Sequence, residues 1–164
     1  MSTVETIRTT VRPAELEVVI TRTFDAPREL VFCMWTEPEH RARWWGPKGF
    51  TNPVCEVDAR PGGAILIHMC APDGAVYPLT GTFLEVLPCE RIVFASVAGD
   101  AEGNPALDEI TTVTFAAEGG KTNVTVRSRA VGIAPAAPFM LAGMEKGWSQ
   151  SFDRLAASVA GRAK

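Results

Sequence analysis

The chain has 164 residues, 46% of them hydrophobic and 21% charged, with a formal net charge of −3 at pH 7. That length corresponds to one domain, which buries about 70% of its unfolded surface and needs no disulfide or metal to hold a core. The mild acidity and the lack of a basic stripe exclude an electrostatic nucleic-acid binder. No apolar run is long enough to span a membrane. The N-terminus carries no cleavable signal, so the cytoplasm is the expected location. The four cysteines (Cys33, Cys55, Cys70 and Cys89) stand far apart with no CxxC pair, and read as small buried hydrophobes rather than a disulfide frame or a zinc site.

Residues 1–13 are short, polar and Thr-rich, as expected of a flexible leader; residues 14–164 are read as a single domain. Leu16, Val18, Ile20 and Phe24 alternate along a half-buried strand. Asp25 then offers an N-cap, with Pro27 in the first turn of a short helix carrying Leu30, Val31, Met34 and Trp35. Thr36-Glu37-Pro38-Glu39 reads as a capping box opening a second helix, which Gly46 and Pro47 stop. Arg41, Arg43 and Lys48 around this helix end read as a solvated face.

Six further strands are expected over residues 54–59, 64–70, 76–86, 92–97, 107–117 and 122–130. The turns between them are marked by Pro61-Gly62-Gly63, Pro72-Asp73-Gly74, Pro88-Cys89-Glu90 and Gly119-Gly120. Arg127 and Arg129 alternate with Val126 and Ser128 in the manner of an exposed edge. One long helix closes the chain. Met140, Leu141, Met144, Trp148, Phe152, Leu155 and Val159 form its apolar stripe, and Lys146, Ser149, Gln150 and Asp153 lie opposite. Seven antiparallel strands with helices at both ends cannot be doubly wound; the sheet must curl round the last helix. The fold class is therefore α+β. A stripe of large, soft side chains fits either a solid core or a cavity between the layers.

Several motifs carry a resemblance. Phe24-Asp25-Ala26-Pro27, Trp35-Thr36-Glu37-Pro38-Glu39-His40, Trp44-Trp45-Gly46-Pro47 and Arg60-Pro61-Gly62-Gly63 are similar to the heat-shock-protein-90 ATPase activator homologue family. So are Pro72-Asp73-Gly74, Gly81-Thr82-Phe83-Leu84-Glu85-Val86 and Glu90-Arg91-Ile92. That family belongs to the START-like (SRPBCC, helix-grip) superfamily, which includes the birch pollen allergen. The resemblance implies a helix-grip fold, a sheet wrapped around a long C-terminal helix with an internal apolar cavity. The eukaryotic activators carry an additional N-terminal domain tied to stimulation of the chaperone. Here only the polar residues 1–13 precede the first expected strand, which ranks a chaperone partner last.

The leading expectation is a domain that binds a small hydrophobic or amphipathic molecule between sheet and final helix. The expected lining is Trp35, Trp45, Ile65, Ile67, Met69 and Phe83 on one side and Met140, Met144, Trp148 and Phe152 on the other, with Tyr77 offering one hydroxyl to a polar group. Of the adjacent Trp44 and Trp45, both serve as packing anchors or one reaches the pocket mouth.

A cyclase- or hydrolase-like enzyme is the second expectation, and needs an acid or base facing inward. Glu109, Tyr77 and His68 are its candidates, although His68 falls on the outer face with Leu66 and Cys70. Glu109 reads either as a buried acid with a raised pKa or, in preference, as a residue at the frayed strand end. No catalytic residue is assigned. Glu56 and Asp58 read as solvated, the latter near Arg60. His40 and His68 lie on separate elements without a carboxylate at ligand spacing, so neither a metal nor another cofactor is expected. The apolar outer set Leu66 and Cys70 suggests a homodimer contact or cover by the leader.

Overall fold

A computed structural model describes residues 5–12, 14–135 and 137–162. Its elements run β1 (Glu5–Arg12), β2 (Glu15–Phe24), α1 (Arg28–Thr36), α2 (Pro38–Trp44), β3 (Thr51–Val57) and β4 (Ala64–Cys70). They continue with β5 (Val76–Leu87), β6 (Arg91–Gly99), β7 (Pro105–Glu118), β8 (Lys121–Gly132), α3 (Ala137–Ala142) and α4 (Met144–Arg162). The strands form one antiparallel sheet in the order β1-β2-β8-β7-β6-β5-β4-β3. The α+β class holds, with eight strands where the sequence suggested seven.

The additional strand is β1, in the stretch expected to be a leader; residues 1–4 and 13 of that stretch lie outside the described residues. Its apolar side chains gave no core signal because they bury little: Ile7 and Val11 are exposed. What holds the strand is backbone pairing with β2 along its whole length, from Glu5 opposite Arg22 to Arg12 opposite Glu15. Since β1 lies at the far edge of the sheet from β3 and β4, it does not cover Leu66 and Cys70.

Alternation along β2 places Leu16, Val18, Ile20, Arg22 and Phe24 on the inner face. Arg22 interrupts the apolar pattern and is nevertheless buried, because it is paired. Its Nε donates to Glu5 Oε1 at 2.6 Å and its Nη1 lies 2.9 Å from Asp153 Oδ1 on α4. This cluster ties the edge strand to the last helix. At β7–β8, Gly119 and Gly120 both have positive φ (+56° and +81°), which a two-residue hairpin turn between right-twisted strands requires. Strand β8 is interior, between β2 and β7. Arg127 and Arg129 therefore lie on an exposed face rather than at an edge, and they pair with Glu17 and Glu15 on the neighbouring strand.

Three helix boundaries differ from expectation. Asp25 does not cap α1; Pro27 is the N-cap residue, with no side-chain cap bond, and the helix starts at Arg28. Thr36 does not cap α2; its hydroxyl bonds back to the Phe32 carbonyl, and Glu37 is the N-cap residue with Pro38 opening the helix. The closing helix is two helices: α3 stops at Ala142, Gly143 is the single turn residue, and α4 starts at Met144. Helix α3 can sit on the end of β8 because residue 132 is glycine. A Cβ there would stand 2.7 Å from the Cβ of Ala137. On α4, Phe152, Leu155 and Val159 are fully buried, and Phe152 meets Phe24 edge-to-face at 5.3 Å. The apolar stripe thus packs solidly over its C-terminal half.

Candidate functional site

The N-terminal half of α4 does not close on the sheet. Between it, α3, the loop after α2 and strands β4 to β7 lies a cleft of about 720 Å³. Trp45, Met69, Tyr77, Met140, Met144 and Trp148 line it. The remaining expected lining residues lie elsewhere. Trp35, Ile65, Ile67, Phe83 and Phe152 are buried in the packed core. Trp148 bridges the two regions. It stacks on Trp35 at 6.3 Å, meets Trp45 edge-on at 5.5 Å, and lines the cleft. Phe139 stands at the mouth on α3 and is 80% exposed. A second hollow of about 710 Å³ opens on the outer sheet face around Thr80, Thr82, Ala95 and Ile110, where no helix covers it; Ser96 and Glu109 belong to its lining too.

The wall at Trp45 is held from behind. Arg41, expected on a solvated face, is fully buried, with its guanidinium 4.2 Å from the Trp45 ring and 5.2 Å from Phe94. Its Nη1 donates to the Trp35 carbonyl at 3.2 Å, while Nε and Nη2 have no partner among the described residues. Burial without a carboxylate lowers its pKa to about 10. Stacking on aromatic faces is what makes this position tolerable for a cation. Trp44 is the fully buried anchor of the pair, its indole donating to the Met34 carbonyl at 2.8 Å. From α4, Arg154 Nη1 donates to the carbonyls of Trp45, Gly46 and Pro47 at 3.0 to 3.1 Å, and Nη2 to that of Arg43 at 3.0 Å. One side chain so satisfies the carbonyls left open where α2 ends.

Glu109 is the acid of the cleft. It is not at a frayed end: β7 begins at Pro105, and Glu109 pairs with Ser96 on β6 and Ala130 on β8. Alternation puts it on the inner face with the buried Leu107, Thr111 and Val113. Burial pushes its carboxyl up to about 7, opposed by a hydrogen bond from Ser96. Beside it Thr111 and Ser128 share a hydroxyl–hydroxyl bond of 2.9 Å. The inner sheet face therefore carries a small polar track, Ser96, Glu109, Thr111 and Ser128, beside the apolar Ala98, Leu107, Val113 and Ala130. Alternation along β6 and β7 was the signal available for this track; the strand-end reading of Glu109 set it aside.

The other titratable candidates do not converge. His68 is on the outer set of β4 and outside the cleft lining, and His40 is on α2. Asp58 pairs with Arg60 at 2.9 Å in solvent. Burial raises the thiol of Cys33, with help from Glu37, to about 11, and raises that of Cys55 against the opposing pull of Arg41. Thiols held that way are poor nucleophiles. Among the described residues no His, Cys, Asp and Glu side chains group to hold a metal ion. No helix among them is long and apolar enough to cross a membrane.

Over residues 25–160, from the turn before α1 to near the end of α4, the sequence matches the family described as "Activator of Hsp90 ATPase homolog 1-like protein". The chain belongs to that family. The family's fold recurs in solved structures. Protein CV1439 from Chromobacterium violaceum is 34% identical, with a TM-score of 0.72 over 87% of this chain and 96% of that one. Protein NE0264 from Nitrosomonas europaea is 25% identical, with a TM-score of 0.72 over 89% and 95%. The AHSA1 protein from Silicibacter pomeroyi shares the fold at 21% identity, with a TM-score of 0.75 over 89% and 99%. No curated protein matches.

Proposed function

We propose that this chain is a binding domain for a small apolar or amphipathic molecule, held between the inner sheet face and α3–α4. The observation that carries this reading is the cleft itself. Its volume of about 720 Å³ falls within the range of roughly 300–1,000 Å³ typical of small-molecule sites. Its walls combine two indole rings with the thioethers of Met69, Met140 and Met144, which adapt to irregular shapes. One carboxyl, that of Glu109, in a largely apolar lining suits a ligand with one polar end. Trp35, Ile65, Ile67, Phe83 and Phe152 then support the wall rather than touch the guest.

The test is a titration with a panel of hydrophobic and amphipathic compounds, followed by tryptophan fluorescence, since Trp45 and Trp148 both line the cleft. Met144→Ala and Trp148→Leu should each weaken binding by about tenfold or more, the expected size for losing one well-packed apolar contact. A signal that no compound in the panel moves would overturn the reading. Acid–base catalysis on a bound ligand is the second reading, favoured by a carboxyl at about 7 facing the same space. Product formation that Glu109→Gln abolishes would select it.

A further inference from the structure

The cleft lining holds one acid, Glu109, and one base, Lys146, and the two are placed differently. Lys146 is exposed on α4, where water solvates its charge. Glu109 rises from within β7 on the inner face, with the Ser96 hydroxyl as its hydrogen-bond partner and no neighbouring cation among the described residues. The aromatic rings of Trp45, Phe50, Tyr77 and Trp148 line the same space. A half-buried carboxylate on the inner face without a counter-charge, inside aromatic walls, is suited to one kind of guest. A cation both pairs with the carboxylate and is attracted to the ring faces.

Resting on the binding reading above, we propose that the cleft selects an amphipathic amine, with its ammonium against Glu109 and its apolar body against Trp45, Trp148 and the methionines. The competing chemistry is an anionic guest drawn to Arg41. That guanidinium is sealed behind Trp45 with no exposure, whereas Glu109 lines the cleft directly. The groups around Glu109 do not supply the missing charge. On β6 it faces Ser96. On β8 the inner face presents Ser128 and Ala130, while Arg129 points outward and pairs with Glu15. Asp108 is on the outer face of β7, and Tyr77 and Lys146 are the titratable groups across the cleft.

The pH dependence follows. In the empty cleft Glu109 is held near 7, so it is mostly protonated below that pH and must ionise to pair with an ammonium. Amine affinity should therefore rise with pH by about 30-fold between about pH 5.5 and pH 8, then level off. A neutral guest gains nothing from ionisation, so its affinity stays level or falls.

The experiment compares phenylethylamine, phenylethanol and phenylacetate on the full chain, by NMR shifts of cleft residues at several pH values. A carbon-13 titration of the Glu109 carboxyl runs in parallel. The expected result is that the amine binds tightest at pH 8, that it shows the pH rise, and that it lowers the Glu109 pKa. Glu109→Gln should remove the pH rise and bring the amine down to the alcohol's affinity. If the alcohol or the carboxylate binds as well as the amine, or the Glu109 pKa does not fall on adding amine, the amine assignment is overturned while the cleft remains a binding site. If none of the three moves any cleft resonance at any pH, the binding reading falls with it.

Discussion

Glu109→Gln also offers the sharpest test of the structure, independent of any ligand. The carboxyl moves from 4.5 to about 7 on folding, the burial penalty outweighing the hydrogen bond from Ser96. Each tenfold change in proton affinity is worth about 1.4 kcal/mol, so the displacement amounts to about 3 kcal/mol. The sign follows from proton counting: between pH 4.5 and 7 the folded chain holds a proton that the unfolded chain has released. Stability from this group is fully present below about 4.5 and declines as pH rises through 7, above which the charged carboxylate carries the whole penalty. Glutamine keeps the shape and can bond to Ser96 but never ionises. Urea denaturation of both proteins from pH 4.5 to 8.5 should therefore give nearly equal stabilities at the acid end. At the alkaline end the variant should be more stable by up to about 3 kcal/mol, equivalent to roughly 6–10 °C in Tm for a chain of this size. A stability difference that stays constant across this pH range would refute a buried Glu109, and with it the inner-face polar track.

Other substitutions probe the frame around the cleft. Phe152→Ala removes a fully buried ring packed on Phe24 and Trp35 and should cost about 3–5 kcal/mol in a urea melt. Arg154→Met leaves the carbonyls of Arg43, Trp45, Gly46 and Pro47 without their shared donor. It should cost about 2 kcal/mol and speed amide exchange selectively in the loop after α2; uniform exchange along the chain would contradict that role. Glu5→Gln takes the β1 carboxylate from the buried Arg22, which keeps Asp153, and should lower stability by about 1–3 kcal/mol. Its coupling to Arg22→Met in a double-mutant cycle should exceed 0.5 kcal/mol, about the least expected of residues in direct contact.

How much of this was legible beforehand can be judged residue by residue. Local pattern alone set the α+β class, the order of β2 through β8, strand β4 to the residue, the stop of α2 at Gly46 and the buried stripe of α4. Each depends on a period or a turn chemistry acting over a few positions. Interactions between distant residues were not legible in that way. Strand β1 has little apolar alternation and exists by pairing with β2 and by Glu5 meeting Arg22. Arg41 reads as a surface charge until Trp45 and Phe94 close over it.

The same division applies to the site. Sequence supplied a supply of large, soft side chains, but not which of them would face open space; Met144 and Trp148 line the cleft, while Phe152, one turn further along α4, is packed against Phe24. Nor could it tell a strand-end Glu109 from one inside the sheet, because that depends on where β6 and β8 begin to pair with β7. Periodicity fixes which face a side chain takes. Whether that face meets a neighbour, water or a hollow is decided only when elements far apart in the chain are brought together.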